Sequence, residues 1–273
     1  MILKRGQRTR RWLPSGNWII GGWLIGAMAI AASLPATAEE TLVSTAPPPT
    51  WSALTKVFQG DAQRPAETHQ IAYQNGVYYD FSAAESQPWV IFDLGQSRVI
   101  MLDRERQQRT SIATGDLVRL TARAESEITD EQQRARFGMD AQPMRTSDLN
   151  FALDYEGTRY RISGMRASNP DVAAQYGRFV DWVCRLNIAR PRGVPPFARM
   201  KLNEMMTSHD VLPEETKVTL TRYLGADRIA ATIRLRSSMS LQNEIDDAIA
   251  SQIQDAQTMR VVFEEVPWDQ YEH

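Results

Sequence analysis

Val90-Ile91-Phe92-Asp93-Leu94-Gly95-Gln96-Ser97-Arg98-Val99-Ile100-Met101-Leu102 is the stretch that decides the fold: two apolar runs joined by a short polar turn. Runs of this length, rich in β-branched residues and bounded by turn formers, are strands. With Gly95-Gln96-Ser97 as the turn, they form a hairpin with Phe92 opposite Ile100 and Ile91 opposite Met101. Neither run alternates polar with apolar residues. A sheet with one wet face alternates cleanly, so either helices cover both faces of this hairpin or one face lines an apolar concavity.

Upstream, Gln74-Asn75-Gly76-Val77 is a hairpin signal, because Asn-Gly tolerates the positive φ angles of a type I′ turn. It pairs Tyr73 with Tyr78 and Ile71 with Asp80. Downstream, a polar turn over 104–108 leads to a strand at 109–112, and the whole reads as an antiparallel meander. A further hairpin turns at Glu156-Gly157, with Phe151 opposite Ile162, Leu153 opposite Tyr160, and Arg159 and Arg161 on the other face. Val218 and Leu220 alternate with Thr219 and Thr221, as do the apolar and polar positions of 229–236, which adds two strands.

Between the strands lie helices. Leu117, Leu120, Ala124 and Ile128 keep helical spacing over 116–138, and Thr129 with Gln132 forms a capping box that restarts the helix. Asn169-Pro170 is a cap followed by a first-turn proline. Val172, Tyr176, Phe179, Val183 and Leu186 then form a stripe, and Pro191-Arg192-Gly193 ends it. A shorter helix runs over 197–207. The last carries Leu241, Ile245, Ile249, Ile253 and Ala256 on one face, with Asp246 and Asp247 read as solvated. The expected class is α+β: a curved antiparallel sheet of about eight or nine strands, in one version a half-barrel, with several packed helices in one domain over 51–273.

The first fifty residues have a different character. Lys4, Arg5, Arg8, Arg10 and Arg11 come first, residues 18–34 are apolar, and Ala36-Thr37-Ala38 follows. That order predicts a signal peptide over 1–38 cleaved after Ala38, with Ala36 and Ala38 as the small residues the peptidase requires. The alternative is an uncleaved inner-membrane anchor, for which about 20 apolar residues are the comfortable length. Thr9-Arg10-Arg11-Trp12-Leu13 leaves open whether export follows the general or the twin-arginine route. Residues 39–50 are a Pro-rich linker ending in Pro47-Pro48-Pro49, a stiff extended spacer. The expected location is periplasmic or secreted, with membrane contact only during export.

Of 31 Lys and Arg residues five lie in that leader, where there is no acid, so residues 39–273 carry 26 bases against 33 acids. Such a balance disfavours nucleic acid and anionic lipid as partners. The single cysteine, Cys184, cannot form an internal disulfide and reads as a buried filler within a helix.

No nucleophile elbow, dinucleotide fingerprint or phosphate loop occurs, and no catalytic residue, cofactor or metal is assigned. His69, His209 and His273 lack ligand spacing. Asp80, Asp93 and Asp103 fall in or beside the meander, where paired carboxylates can act as acid and base, or simply solvate strand ends. Tyr78, Trp89, Phe92 and Met101 are candidate lining for an apolar ligand, and Phe197, Met200, Met205 and Met206 form a second soft apolar face.

Gly76-Val77-Tyr78-Tyr79-Asp80-Phe81, the run VIFDLGQSRVIMLDRERQQRTSI over 90–112, Ala173-Ala174-Gln175-Tyr176-Gly177-Arg178-Phe179-Val180-Asp181-Trp182 and Pro195-Pro196-Phe197-Ala198-Arg199 together resemble an uncharacterised family of bacterial exported proteins, over about 66–265. That resemblance implies export and brings no activity, cofactor or catalytic residue. The meander is more distantly similar to the half-barrel of periplasmic lipoprotein carriers, from which the helix-rich second half departs. The leading functional expectation is a non-enzymatic envelope protein binding an apolar ligand or an envelope partner. An envelope hydrolase or transferase, in which one of the three aspartates meets His69 or an arginine in a cleft, is the second. A structural or assembly protein is the third.

Overall fold

The computed structural model describes residues 50–190, 196–224 and 228–271. The leader with Ala36 and Ala38, the linker up to Pro49, Pro191-Arg192-Gly193 and His273 lie outside them. No helix among the described residues is long and apolar enough to cross a membrane.

All nine strands read from the sequence form, as β2 (Glu67–Gln74), β3 (Val77–Ser82), β4 (Trp89–Asp93), β5 (Arg98–Asp103), β6 (Gln108–Ala113), β8 (Asn150–Tyr155), β9 (Thr158–Arg166), β10 (Val211–Leu224) and β11 (Arg228–Gln242). Three more join them and raise the count among the described residues to twelve: β1 (Trp51–Gln59), β7 (Met144–Arg145) and β12 (Glu264–Glu265). They form one open sheet in the order β12-β6-β5-β4-β3-β2-β1-β11-β10-β9-β8-β7. Every pairing is antiparallel except β12 on β6, so the sheet is mixed. β1 joins the two halves, with Trp51 opposite Tyr73 on one side and Val57 opposite Ser237 on the other. Its sequence neither alternates nor runs apolar, which hid it. β7 and β12 are two residues each, too short for any period.

The Asn-Gly turn forms as expected, with Asn75 at φ 53° and Gly76 at φ 82°, and it sets Tyr73 opposite Tyr78 and Ile71 opposite Asp80. The central hairpin differs by one residue: Phe92 pairs with Val99, Ile91 with Ile100 and Val90 with Met101. Asp93 Oδ1 accepts from the Gln96 amide at 3.0 Å, the Ser97 amide donates to the Leu94 carbonyl at 3.1 Å, and Ser97 takes φ 55°. These bonds make the loop four residues long, Leu94 through Ser97, rather than three. A one-residue slip moves a whole strand's side chains to the other face. Tyr78, Val90, Phe92, Val99 and Met101 therefore share one face, and Tyr79, Phe81, Trp89, Ile91, Ile100 and Leu102 the other.

Helices cover both. α1 (Thr114–Glu127) and α2 (Glu131–Arg136) follow β6, and α2 is capped by Asp130, which accepts from the Gln133 amide at 2.9 Å, rather than by Thr129. α3 (Pro170–Ala189) packs Val172, Tyr176 and Phe179 on the Tyr78 face, and α4 (Pro196–Thr207) continues that layer with Leu202 and Met206 over Phe151, Leu153 and Tyr160. Asn169 caps α3 as expected, accepting from the Asp171 amide at 2.9 Å. α5 (Asp247–Val262) lays Ile249, Ile253 and Ala256 on the Tyr79 face.

α5 begins later than its apolar spacing implies. Leu241 belongs to β11, opposite Ala53, and Asp246 is the cap, accepting from the Ile249 amide at 2.8 Å. A cap of this kind contributes about 1 kcal/mol, and pairing with β1 holds the preceding residues extended.

Candidate functional site

The four candidate lining residues do not share a surface. Tyr78, Phe92 and Met101 lie together, but the space above Phe92 is taken by Phe179, whose ring meets it edge-on at 5.6 Å. Trp89 is on the opposite face, where its Nε1 donates to the Ser82 carbonyl at 3.0 Å and the Arg104 guanidinium sits 4.7 Å from its ring. All four are at most 7 % exposed, so they build core.

The three aspartates also part. Asp80 Oδ1 is 2.7 Å from His69 Nδ1, with Glu67 Oε2 3.7 Å from Nε2. Burial works against a charged His69, yet the bond and charge of Asp80, helped by Glu67, raise its pKa above 6.5. Asp93 lies in an ion pair with Arg260 at 3.0 Å. Asp103 accepts from the Arg106 amide at 2.9 Å and holds its own turn.

His209 Nδ1 is 2.9 Å from the Met205 carbonyl and 3.1 Å from Ser208 Oγ. A ring nitrogen facing a carbonyl must carry the proton, so it cannot also take one from Ser208. Cys184 is 4 % exposed, and burial pushes its thiol up to about 12, which leaves it unreactive at neutral pH.

A groove of about 920 Å³ lies between α3 and α4, with Glu125 of α1 and Arg134 of α2 among its lining residues. Its helices approach closely because position 177 is glycine: a Cβ there would lie 2.3 Å from Thr207 Oγ1. Asn203, 4 % exposed, donates to the Gly177 carbonyl and to Asp181 Oδ1, each at 2.8 Å. Burial raises the Asp181 carboxyl above its ordinary value, and the Asn203 bond only partly offsets this. Arg178, Arg185, Lys201 and Glu204 complete a lining of both signs. The cations are engaged: Lys201 with the Met139 carbonyl, Arg134 with Asp140, Arg178 with the Tyr78 hydroxyl, and Arg185 over the Trp182 ring at 5.7 Å. Of the methionine face, Met200 lines the groove, Met206 is core and Met205 is half-buried. The groove was not readable beforehand; a glycine inside a strong helix pattern was the one signal of close approach.

Net acidity conceals a basic surface. On the face of β9, β10 and β11 turned away from α4, Arg161, Lys217 and Arg236 stand directly opposite one another across three adjacent strands. Arg159 and Arg234 flank Thr219 one step along. Glu215 pairs with Lys217 at 2.7 Å and Asp154 with Arg161. The sequence places these charges far apart, and the sheet collects them.

No family model matches the chain. A search of curated proteins finds no relative either.

Proposed function

We propose that this chain is an exported, non-enzymatic binding protein that holds its ligand in the groove between α3 and α4. The observation that carries this reading is the groove itself: about 920 Å³, lined by the Asp181–Asn203–Gly177 network, in which Asn203 and Gly177 are buried and Asp181 half-buried, and by charges of both signs. A concavity with a few convergent polar groups is the default place for a ligand. Mixed charge beside Phe197 and Met200 suits a polar partner such as a peptide segment better than an acyl chain. The filled space above Phe92 speaks against the carrier version. Among the described residues the groove hydroxyls, Thr207 and Ser208, meet no free base: the one ring nitrogen near Ser208, His209 Nδ1, faces the Met205 carbonyl, which favours binding over catalysis. Export rests on the basic, apolar and small-residue order of 1–38.

The test is native mass spectrometry of protein recovered from its own cell envelope, beside Ala174→Trp. Ala174 is an exposed residue lining the groove, so tryptophan fills the site without disturbing the core. A co-purifying mass on the wild type that is lost from the folded variant supports the reading. The same spectrum of complexes from both proteins overturns it. N-terminal sequencing of that material should begin at Glu39, and Met1 still in place would overturn the cleaved-leader half.

A further inference from the structure

Beneath the helix layer, on the sheet side, lies a second and smaller cavity of about 90 Å³ lined by Thr55, Tyr176, Arg199, Pro213, Glu214, Thr216, Ser237 and Met239. The sheet floor is polar here although the layer around it is apolar. Two of its atoms are buried without any hydrogen-bond partner, Arg199 Nη1 and Thr55 Oγ1. Buried polar groups in folded proteins are almost always satisfied, and an exception calls for a bound water or ion. Arg199 as a whole is half-buried, but its guanidinium is always charged, so the buried and unpartnered Nη1 is the more costly of the two. Arg199 acts electrostatically on Tyr160, Tyr176, Asp181 and Cys184, yet no acid among the described residues pairs with it. The one carboxylate in the lining, Glu214, is solvent-exposed and forms no ion pair with it.

The sheet is built irregularly at this point. The pairing of β10 with β9 shifts between Pro213 and Glu215, leaving Glu214 as the extra residue. Bulges of this kind re-aim side chains and gather beside functional sites. Thr216 is directly opposite Ser237, and Thr55 directly opposite Met239, so two neighbouring cross-strand rows place their hydroxyls under Arg199.

We infer that this cavity is a binding site for a small oxyanion, a carboxylate or a phosphate, held by Arg199 with Thr55, Thr216, Ser237 and the Tyr176 hydroxyl as further donors. A planar guanidinium facing a ring of hydroxyls supplies donors and one positive charge, which matches the two or three acceptor oxygens of such a group. The space exceeds what one water requires. This site is separate from the groove of the proposed function and does not depend on it.

The experiment is isothermal titration of the full chain with sodium acetate and, separately, inorganic phosphate, at constant ionic strength with chloride as the balancing ion. Thermal midpoints are read in parallel. Saturable binding of one of the two, with a raised midpoint, is expected, and the arm that saturates identifies the class. Arg199→Met should weaken it at least about tenfold and Thr55→Val about three- to tenfold. Glu214→Gln should leave it unchanged or tighten it. The site is refuted if neither anion outperforms chloride, which a cavity holding only water would give. It is refuted equally if Thr55→Val binds like the wild type, an arm that decides the matter alone should Arg199→Met fail to fold. Glu214→Gln destabilising the protein as much as Arg199→Met would make Glu214 the native partner of Arg199 and also overturn the inference.

Discussion

Arg260, near the end of α5, donates from Nη1 to Asp93 Oδ2 at 3.0 Å, while Oδ1 of the same carboxylate accepts the Gln96 amide in the turn of the central hairpin. Asp93 thus sets the hairpin register and anchors the terminal helix. Its side chain is 7 % exposed and that of Arg260 21 %. Removing one partner of such a pair strands the other charge at partial burial. Asp93→Ala should cost about 2–3 kcal/mol in urea unfolding, and Asp93→Asn less, since the amide oxygen can still take the turn bond. A double-mutant cycle with Arg260→Met should show clear coupling; additive losses would make the pair incidental.

The pH dependence of stability should carry the mark of His69. Its folded pKa lies above 6.5, where Asp80 and Glu67 face it, so the folded state holds its proton more tightly than the unfolded chain does. The contribution is therefore fully present below about pH 6.5 and is lost as pH rises through the higher folded value. His69→Gln should flatten that part of the profile in chemical denaturation across pH 5.5–9. An unchanged slope would exclude His69 as its source.

At Gly177 two effects of opposite sign compete. Alanine in a helix interior is favoured over glycine by about 1 kcal/mol. Against this, the new Cβ would lie 2.3 Å from Thr207 Oγ1 and 3.3 Å from Thr207 Cβ. Overpacking typically costs about 1–3 kcal/mol, so Gly177→Ala should be destabilising. Gly177→Ala with Thr207→Ala should recover most of the loss, which thermal unfolding of the pair would reveal.

Lys217 sits between Arg161 and Arg236 on neighbouring strands. Like charges directly opposite are unfavourable by a few tenths of a kcal/mol, and the exposed pair with Glu215 returns little. Lys217→Thr should therefore raise stability by about 0.5 kcal/mol at low salt, and the gain should shrink in about 0.5 M NaCl. A loss at both salt concentrations would mean that the Glu215 pair dominates.

Much of the fold was legible, and the reasons are local. The Asn75-Gly76 turn, the alternation of β9 and the Asn169-Pro170 start of α3 each depend on residues a few positions apart. The central hairpin was legible as an element but not in its register, because the Asp93 side chain lengthens the loop by one residue and no composition rule reports that. Trp89 and Phe92 lie three apart on β4, so alternation alone sets them on opposite faces; the register decides only that Met101 joins the Phe92 side. Leu241 and Ile245 kept helical spacing with Ile249, and only the pairing of β11 with β1 shows that they precede the helix.

The sequence by itself determined the class of the fold, the positions of nine strands and most helices, and the leader-like character of residues 1–38, since period, turn chemistry and capping act between near neighbours. Only the tertiary structure decided that β1 joins the two halves, that both faces of the central hairpin are covered, and that Arg161, Lys217 and Arg236 form one row. It alone placed Arg199 over Thr55, 144 positions away in the chain, and opened the groove at Gly177. Those features are distances between residues remote in sequence, and they exist only once the sheet order and the helix layer have formed.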